Sequence, residues 1–265
     1  MWLLLQEFNS LPQEELASSL PFCIARNVTL AQFHAKCARN ESGGGSRWEF
    51  KDGEVWIYEL PLAPHEDAAG EVIQELTRQM GQQHSRDVVS AASPRCDNNA
   101  RNWSYEPDGS LTVRNGRPGP GHPDAADSFG NRWPNIIVEV AYMESEPHVR
   151  AKALEWLDTA TDPNNGVQQV IVIKIGTTAR VDGHRTMKAW RYERGAAENP
   201  VQAIEFGNHG PANGAIAAGI VGMQLLIPVA SLYLPNAPPG DLLGPLVLDL
   251  FYIRGVIQRS YGMMG

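Results

Sequence analysis

The stretch Ile136-Ile137-Val138-Glu139-Val140-Ala141-Tyr142-Met143 decides the reading of this chain. It is apolar on both of its alternating faces except for one carboxylate. That pattern belongs to a strand covered on both sides within a sheet. Alternation puts Glu139 on the face of Ile137, Ala141 and Met143. A carboxylate in such surroundings faces a large desolvation cost and calls for a cation, a metal or an arginine. A structural ion pair is one answer, and a functional site is the other.

Downstream, Glu146 to Asp158 reads as a short helix and Val170 to Ile175 as a second buried strand. Strand, helix and strand in this order predict a crossover unit with parallel pairing. Val149, Ala153, Trp156 and Leu157 set the inward stripe of the helix, and Lys152 falls within it. Upstream, Ser104 to Val113 reads as a strand broken by Pro107, with Asp108 on the turn. Hard divalent cations are bound by carboxylate and carbonyl oxygens. Two carboxylates and a nearby ammonium therefore suit phosphodiester chemistry, in which the cation neutralises phosphate charge and acidifies a water.

Further out, Trp48, Phe50, Val55 and Ile57 alternate around Lys51-Asp52-Gly53, and Asp-Gly in that setting predicts a hairpin. Pro64-His65-Glu66-Asp67 opens a helix with apolar residues at 69, 72, 73, 76 and 80. Val88 to Ala92 reads as a strand, and residues 114–134 as a long loop rich in Gly, Pro, Asp and Asn. Asp182 to Arg194 suggests an outer pair of strands, and Leu246 to Gln258 a closing helix. Residues 1–40 read as helical and peripheral, ahead of a flexible break at Glu41–Ser46. The expected fold is α/β, a mixed sheet flanked by helices. A helical N-terminal extension would span residues 1–44 and one domain residues 45–265.

Composition narrows the function classes. The formal net charge is −8, and residues 1–100 carry most of it, with 8 basic against 14 acidic groups. Such a chain does not hold nucleic acid through its overall field and needs a local basic patch or bound cations. The three cysteines form no Cys-x-x-Cys pair, so neither a disulfide scaffold nor a cysteine zinc site is expected. An intracellular setting, cytoplasmic or nuclear, follows as the expectation. The N-terminus lacks the basic region of a signal peptide. Gly214 to Leu234 has no charge and is long enough to span a membrane, but its glycines and Pro228 favour a short buried strand at Leu225–Val229.

The ordered pieces resemble the PD-(D/E)XK restriction-endonuclease-like superfamily. Within it they are most similar to the Uma2-like restriction endonuclease family that is expanded in cyanobacteria. Arg47-Trp48-Glu49-Phe50-Lys51-Asp52-Gly53-Glu54-Val55 resembles the family's opening hairpin, and His65 the start of its first helix. Glu106-Pro107-Asp108 resembles its Pro-Asp element, and Pro134-Asn135-Ile136-Ile137-Val138-Glu139-Val140 its Glu-bearing strand. Lys152 falls where the family carries a lysine on the next helix. The resemblance covers about residues 45–235. The superfamily's commonest form has a lysine two residues after the Glu, and here that position is Ala141.

The resemblance implies metal-dependent hydrolysis of nucleic acid, DNA ahead of RNA, with a homodimer as the candidate assembly. It implies Asp108 and Glu139 as ligands of Mg²⁺ or Mn²⁺, Glu49 as an accessory carboxylate, and Lys152 as the catalytic ammonium. Glu49 also reads as a solvated strand residue, and His65 as either a phosphate contact or a helix cap. Lys174 is an alternative ammonium for the site, while Glu144 and Glu146 suit a helix N-terminus and read as structural. Arg180, Arg185, Lys188, Arg191 and Arg194 make the one basic run, and Arg185 and Lys188 are the candidate nucleic-acid contacts. The competing reading is a catalytically inactive nuclease-like fold used as a binding or interaction module. The net charge and Ala141 favour it.

Overall fold

The structure, a computed structural model, describes residues 2–39, 47–90, 94–114, 132–159, 165–177, 185–196, 198–207, 222–242 and 244–262. In chain order, α1 (Leu3–Ser10), α2 (Gln13–Leu16), β1 (Phe22–Arg26) and α3 (Leu30–Arg39) come first. Then follow β2 (Glu49–Lys51), β3 (Glu54–Ile57), α4 (Ala63–Gln79), α5 (Gly81–His84), β4 (Val88–Ser90), β5 (Cys96–Asn98), β6 (Trp103–Tyr105) and β7 (Gly109–Val113). The second half holds β8 (Ile136–Ala141), α6 (Glu146–Leu157), β9 (Gln169–Ile175), β10 (Met187–Glu193) and β11 (Gln202–Glu205). It closes with β12 (Gln224–Ile227), α7 (Val229–Tyr233), β13 (Leu246–Asp249) and α8 (Leu250–Gly262).

The decisive stretch is β8, and every one of its residues is buried. It lies inside a six-stranded sheet ordered β11-β10-β9-β8-β7-β4. The β8–α6–β9 crossover gives the parallel pair, in which Glu139 lies beside Val172. The β9–β10 and β7–β8 pairs on either side of it are antiparallel, so the sheet is mixed. Ile136, Val138 and Val140 join a core built with α4, α8 and the β12–β13 pair. Ile137 and Ala141 face the other way, into a core with Val149, Ala153 and Trp156 of α6. Helices thus cover both faces, which is why β8 is apolar on both.

A second sheet has five strands in the order β1-β3-β2-β6-β5. Its β2–β3 hairpin turns at Asp52 and Gly53, both with positive φ (50° and 85°), as a tight primed turn requires. Pro107 splits the expected Ser104–Val113 strand. Its first part, β6, pairs in the five-stranded sheet, and its second, β7, in the six-stranded one.

Three expectations need correction. Residues 1–44 carry helices, but Phe22–Arg26 is a strand that pairs antiparallel with β3. A short apolar run has no period that separates helix from strand. Leu5, Phe8, Ile24 and Phe33 share one core with Trp48, Phe50, Val55 and Ile57. Leu246 does not start a helix: Leu246–Asp249 pairs with β12, and the Asp249 carboxylate accepts the N–H groups of Phe251 and Tyr252 to open α8. From the expected outer pair, the described residues give one strand, β10, and residues 178–184 lie outside them. The Glu41–Ser46 break and most of the 114–134 loop also lie outside the described residues.

Among the described residues no helix is long and apolar enough to cross a membrane. At the segment in question, Gln224–Ile227 is a strand. Phe33 is fully buried in the shared N-terminal core. Phe33→Ala should cost about 3–5 kcal/mol in urea unfolding and lower the stability of the whole chain in a single transition. A separate early transition would instead mark residues 1–44 as a detachable extension.

Candidate active site

Lys152 is the centre of the buried charge. Its position on α6 is set from the helix start, where the Ser145 hydroxyl accepts the His148 N–H at 3.3 Å. From there Val149, Lys152, Ala153 and Trp156 all turn inward. The Lys152 ammonium donates to Glu139 Oε2 at 2.9 Å and lies 2.6 Å from Glu49 Oε1. One turn on, Trp156 Nε1 donates to Glu139 Oε1 at 2.6 Å, so both oxygens of Glu139 have donors. Lys152 also lies 5.7 Å from the ring centre of Tyr105.

The network continues through the imidazole one turn before Lys152. His148 Nε2 is 3.2 Å from Glu49 Oε2 and 3.4 Å from Glu144 Oε1. The His148 ring stacks on Tyr58, with centroids 3.6 Å apart. Glu49, Glu144 and His148 each offer one atom within 4.8 Å of the others, and among the described residues this is the trio of metal-capable side chains so placed. Glu59 holds the adjoining loop: its Oε2 accepts the N–H groups of Tyr142, Met143 and Glu144 at 2.7, 2.7 and 3.1 Å. This joins the end of β3 to the end of β8.

Burial and crowding set the protonation of these groups. Burial alone would raise Glu49, but the Lys152 ammonium and His148 outweigh it and hold its carboxyl at about 2. Burial raises Glu139 above the ordinary carboxylate range, with Lys152 offsetting part of the effect. Glu144 is raised well above that range by burial, with Glu49, Glu139 and Glu59 adding to it against Lys152. Burial would lower Lys152, but Glu139, Glu49 and Glu144 together raise it well above the ordinary lysine value. The ammonium therefore stays charged.

Asp108 belongs to a different set of partners. It stands just before β7, and its Oδ2 accepts the Val140 N–H at 2.6 Å. Arg47 contacts its Oδ1, and His65 Nε2 lies 3.3 Å from Oδ2. Arg47 and His65 both reach Glu66 as well, at 3.1 and 3.0 Å. The backbone link to Val140 places Asp108 beside the Glu139 strand, yet its charge is met by Arg47, while that of Glu139 is met by Lys152.

The structure thus brings Glu139, Glu49 and Lys152 together and gives Asp108 its own neighbours. His65 is 1% exposed, packed against Asp108, so it neither meets solvent nor caps α4. Arg185 bonds the Gly176 carbonyl at 3.3 Å and lies over the Tyr261 ring at 4.0 Å. Lys188 donates to Glu146 Oε2 at 3.0 Å. Arg191 donates to Gln169 at 2.7 Å, and Arg194 to the Val167 carbonyl at 2.7 Å. The four described members of the basic run thus each have a partner within the chain. Arg180 lies outside the described residues. Lys174, the alternative ammonium, donates to the Tyr142 carbonyl at 2.8 Å.

Arg47, Tyr58, Glu59, Glu144, His148 and Trp156 were not assigned to the site from sequence. Helical spacing carried a signal for two of them, since His148 and Trp156 stand four residues either side of Lys152. Nothing local announces Tyr58 or Glu59, which arrive from the other sheet.

With this geometry in place, the chain can be set beside known proteins. The model of the Uma2 family, described as "Putative restriction endonuclease", matches residues 30–199, 170 of the 265 residues. The chain belongs to that family. A solved structure described as "a putative nuclease belonging to DUF820 from Anabaena variabilis" is 15% identical. The match covers 79% of this chain and 90% of that one, with a TM-score of 0.46. No curated protein matches the chain.

Two predictions follow from the buried charges. Lys152→Met leaves Glu139 and Glu49 without their cation and should cost about 3–5 kcal/mol. Adding Glu139→Gln should recover part of that loss in a double-mutant cycle by urea unfolding. The second concerns pH. A carboxyl raised by the fold loses stability as pH climbs past its ordinary value of 4.5, so Glu144→Gln should raise the melting temperature at neutral pH and leave it unchanged well below 4.5. Glu49 has the opposite sign: its contribution is complete above 4.5 and lost as pH falls through about 2. Glu49→Gln should therefore destabilise at neutral pH, with the deficit closing in acid.

Proposed function

We propose that the chain hydrolyses phosphodiester bonds in nucleic acid, DNA ahead of RNA. The observation that carries this reading is the buried Lys152 ammonium shared by Glu139 and Glu49 in a member of a restriction endonuclease family. A structural ion pair needs one partner for each charge; here one cation faces two carboxylates and a third lies close by. Lys152 would steady charge on the phosphate, and Glu139 and Glu49 would hold that ammonium in place. When bound, a divalent cation supplies neutralisation of phosphate charge and a more acidic water.

The expected ligand set of Asp108, Glu139 and Glu49 does not fit a cation as it is arranged. Asp108 is engaged by Arg47, His65 and the Val140 N–H. Glu139 is engaged by Lys152 and Trp156, and Glu49 by Lys152 and His148. The contact of Arg47 with Asp108 favours a second reading, a nuclease-like fold that binds nucleic acid or a partner without cutting.

Cleavage of labelled DNA and RNA in Mg²⁺ and in Mn²⁺ tests the two. The hydrolytic reading expects cutting by the native chain and a loss of roughly a hundredfold or more in Glu139→Gln and Lys152→Met. Binding of either substrate without any cutting would put the second reading in its place.

A further inference from the structure

We propose that Glu49, Glu144 and His148 form a divalent transition-metal site that takes Mn²⁺ or Zn²⁺ in preference to Mg²⁺ and Ca²⁺. The proposal does not depend on hydrolysis of nucleic acid, and its ligands include neither Asp108 nor Glu139.

The geometry comes first. The three ligand atoms lie within 4.8 Å of one another. His148 Nε2 faces two carboxylate oxygens, Glu49 Oε2 at 3.2 Å and Glu144 Oε1 at 3.4 Å. That nitrogen carries at most one proton, so it can donate to only one of them. A cation between the three atoms would satisfy both.

The second observation is independent of the cluster's shape. The Glu144 side chain is 4% exposed, and its Oε1 has no hydrogen-bond partner among the described residues. Every other carboxylate oxygen at Glu49 and Glu139 has a donor. A buried carboxylate oxygen left without a donor is costly, and such atoms point to an ion that completes them. Charge counting agrees. Glu49, Glu59, Glu139 and Glu144 are all buried, against one buried ammonium, Lys152, and the part-buried Lys174.

The donor types select the ion. Mg²⁺ and Ca²⁺ favour all-oxygen surroundings, the imidazole nitrogen suits Zn²⁺, and the two carboxylates suit Mn²⁺. The protein also holds the ligands still. Tyr58 stacks on the imidazole, the Glu59 carboxylate fixes the Glu144 N–H at 3.1 Å, and Lys152 fixes Glu49. His148 is 27% exposed, which leaves a way in from solvent.

Calorimetric titration of the full chain with Mn²⁺, Zn²⁺, Mg²⁺ and Ca²⁺, without nucleic acid, tests this. The expected result is one site, with Mn²⁺ and Zn²⁺ about tenfold or more tighter than Mg²⁺. Glu144→Gln and His148→Ala should each weaken Mn²⁺ by about tenfold or more, and Glu155→Gln, outside the trio with its carboxylate on Lys51 and the Tyr105 hydroxyl, should leave it unchanged. Pulsed electron paramagnetic resonance of the Mn²⁺ form should show coupling to an imidazole nitrogen that His148→Ala removes. Metal-free melting curves identify any variant that fails to fold, and Glu144→Gln, which removes a crowded charge, should fold well. Absence of Mn²⁺ and Zn²⁺ binding to the native chain overturns the proposal. So does binding unchanged in Glu144→Gln and His148→Ala, or binding lost only in Asp108→Asn. Metal binding as expected with no cleavage of DNA or RNA would sink the hydrolytic reading alone.

Discussion

One ammonium ties the two sheets of this protein together. Lys152, on α6, takes Glu139 from β8 of the six-stranded sheet and Glu49 from β2 of the five-stranded sheet. A buried lysine is tolerated only where carboxylates repay its desolvation, and buried carboxylates only where a cation does the same. Each element is therefore held in its position by a charge that it cannot neutralise alone. The hydrophobic layers on either side of β8 supply the driving force for collapse. The charge network specifies which strand end meets which helix turn.

The crossover unit was legible because it depends on local pattern. Ile136 to Met143 and Val170 to Ile175 are apolar on both faces, and the helical stripe through Val149 and Trp156 names its own inward side, with Lys152 in it. The Asp52-Gly53 hairpin was legible for the same reason, since positive φ at both positions follows from the residues themselves. What was not legible depends on distant segments. Phe22–Arg26 is a strand only because β3 lies beside it. The role of Asp108 is set by Arg47 and His65, which arrive from the hairpin entrance and from α4. Nor does the sequence show that Lys188 of the basic run meets Glu146 or that Arg191 meets Gln169.

The contrast between Asp108 and Glu144 organises the site's chemistry. Asp108 is saturated: a guanidinium, an imidazole and a peptide N–H already meet it. Glu144 is starved, with the like charges of Glu49, Glu139 and Glu59 near it. Affinity for a further cation should follow the starved group and not the saturated one. Family resemblance draws attention to the Pro-Asp and Glu-strand elements, whereas the local balance of charge draws it to the start of α6.

The separations along the chain carry a consequence for how this site comes into being. Lys152 and Glu139 are 13 positions apart, within one crossover unit. His148 and Glu49 are 99 apart, and Glu59 reaches Tyr142 across 83. Closing short loops costs less entropy than closing long ones, so the crossover can present its lysine and glutamate before the hairpin arrives. Until it does, the chain has an ion pair and no metal-binding trio. Ligand-competent chains are therefore finished chains, and occupancy of the trio would count correctly assembled molecules while passing over those that hold only the crossover.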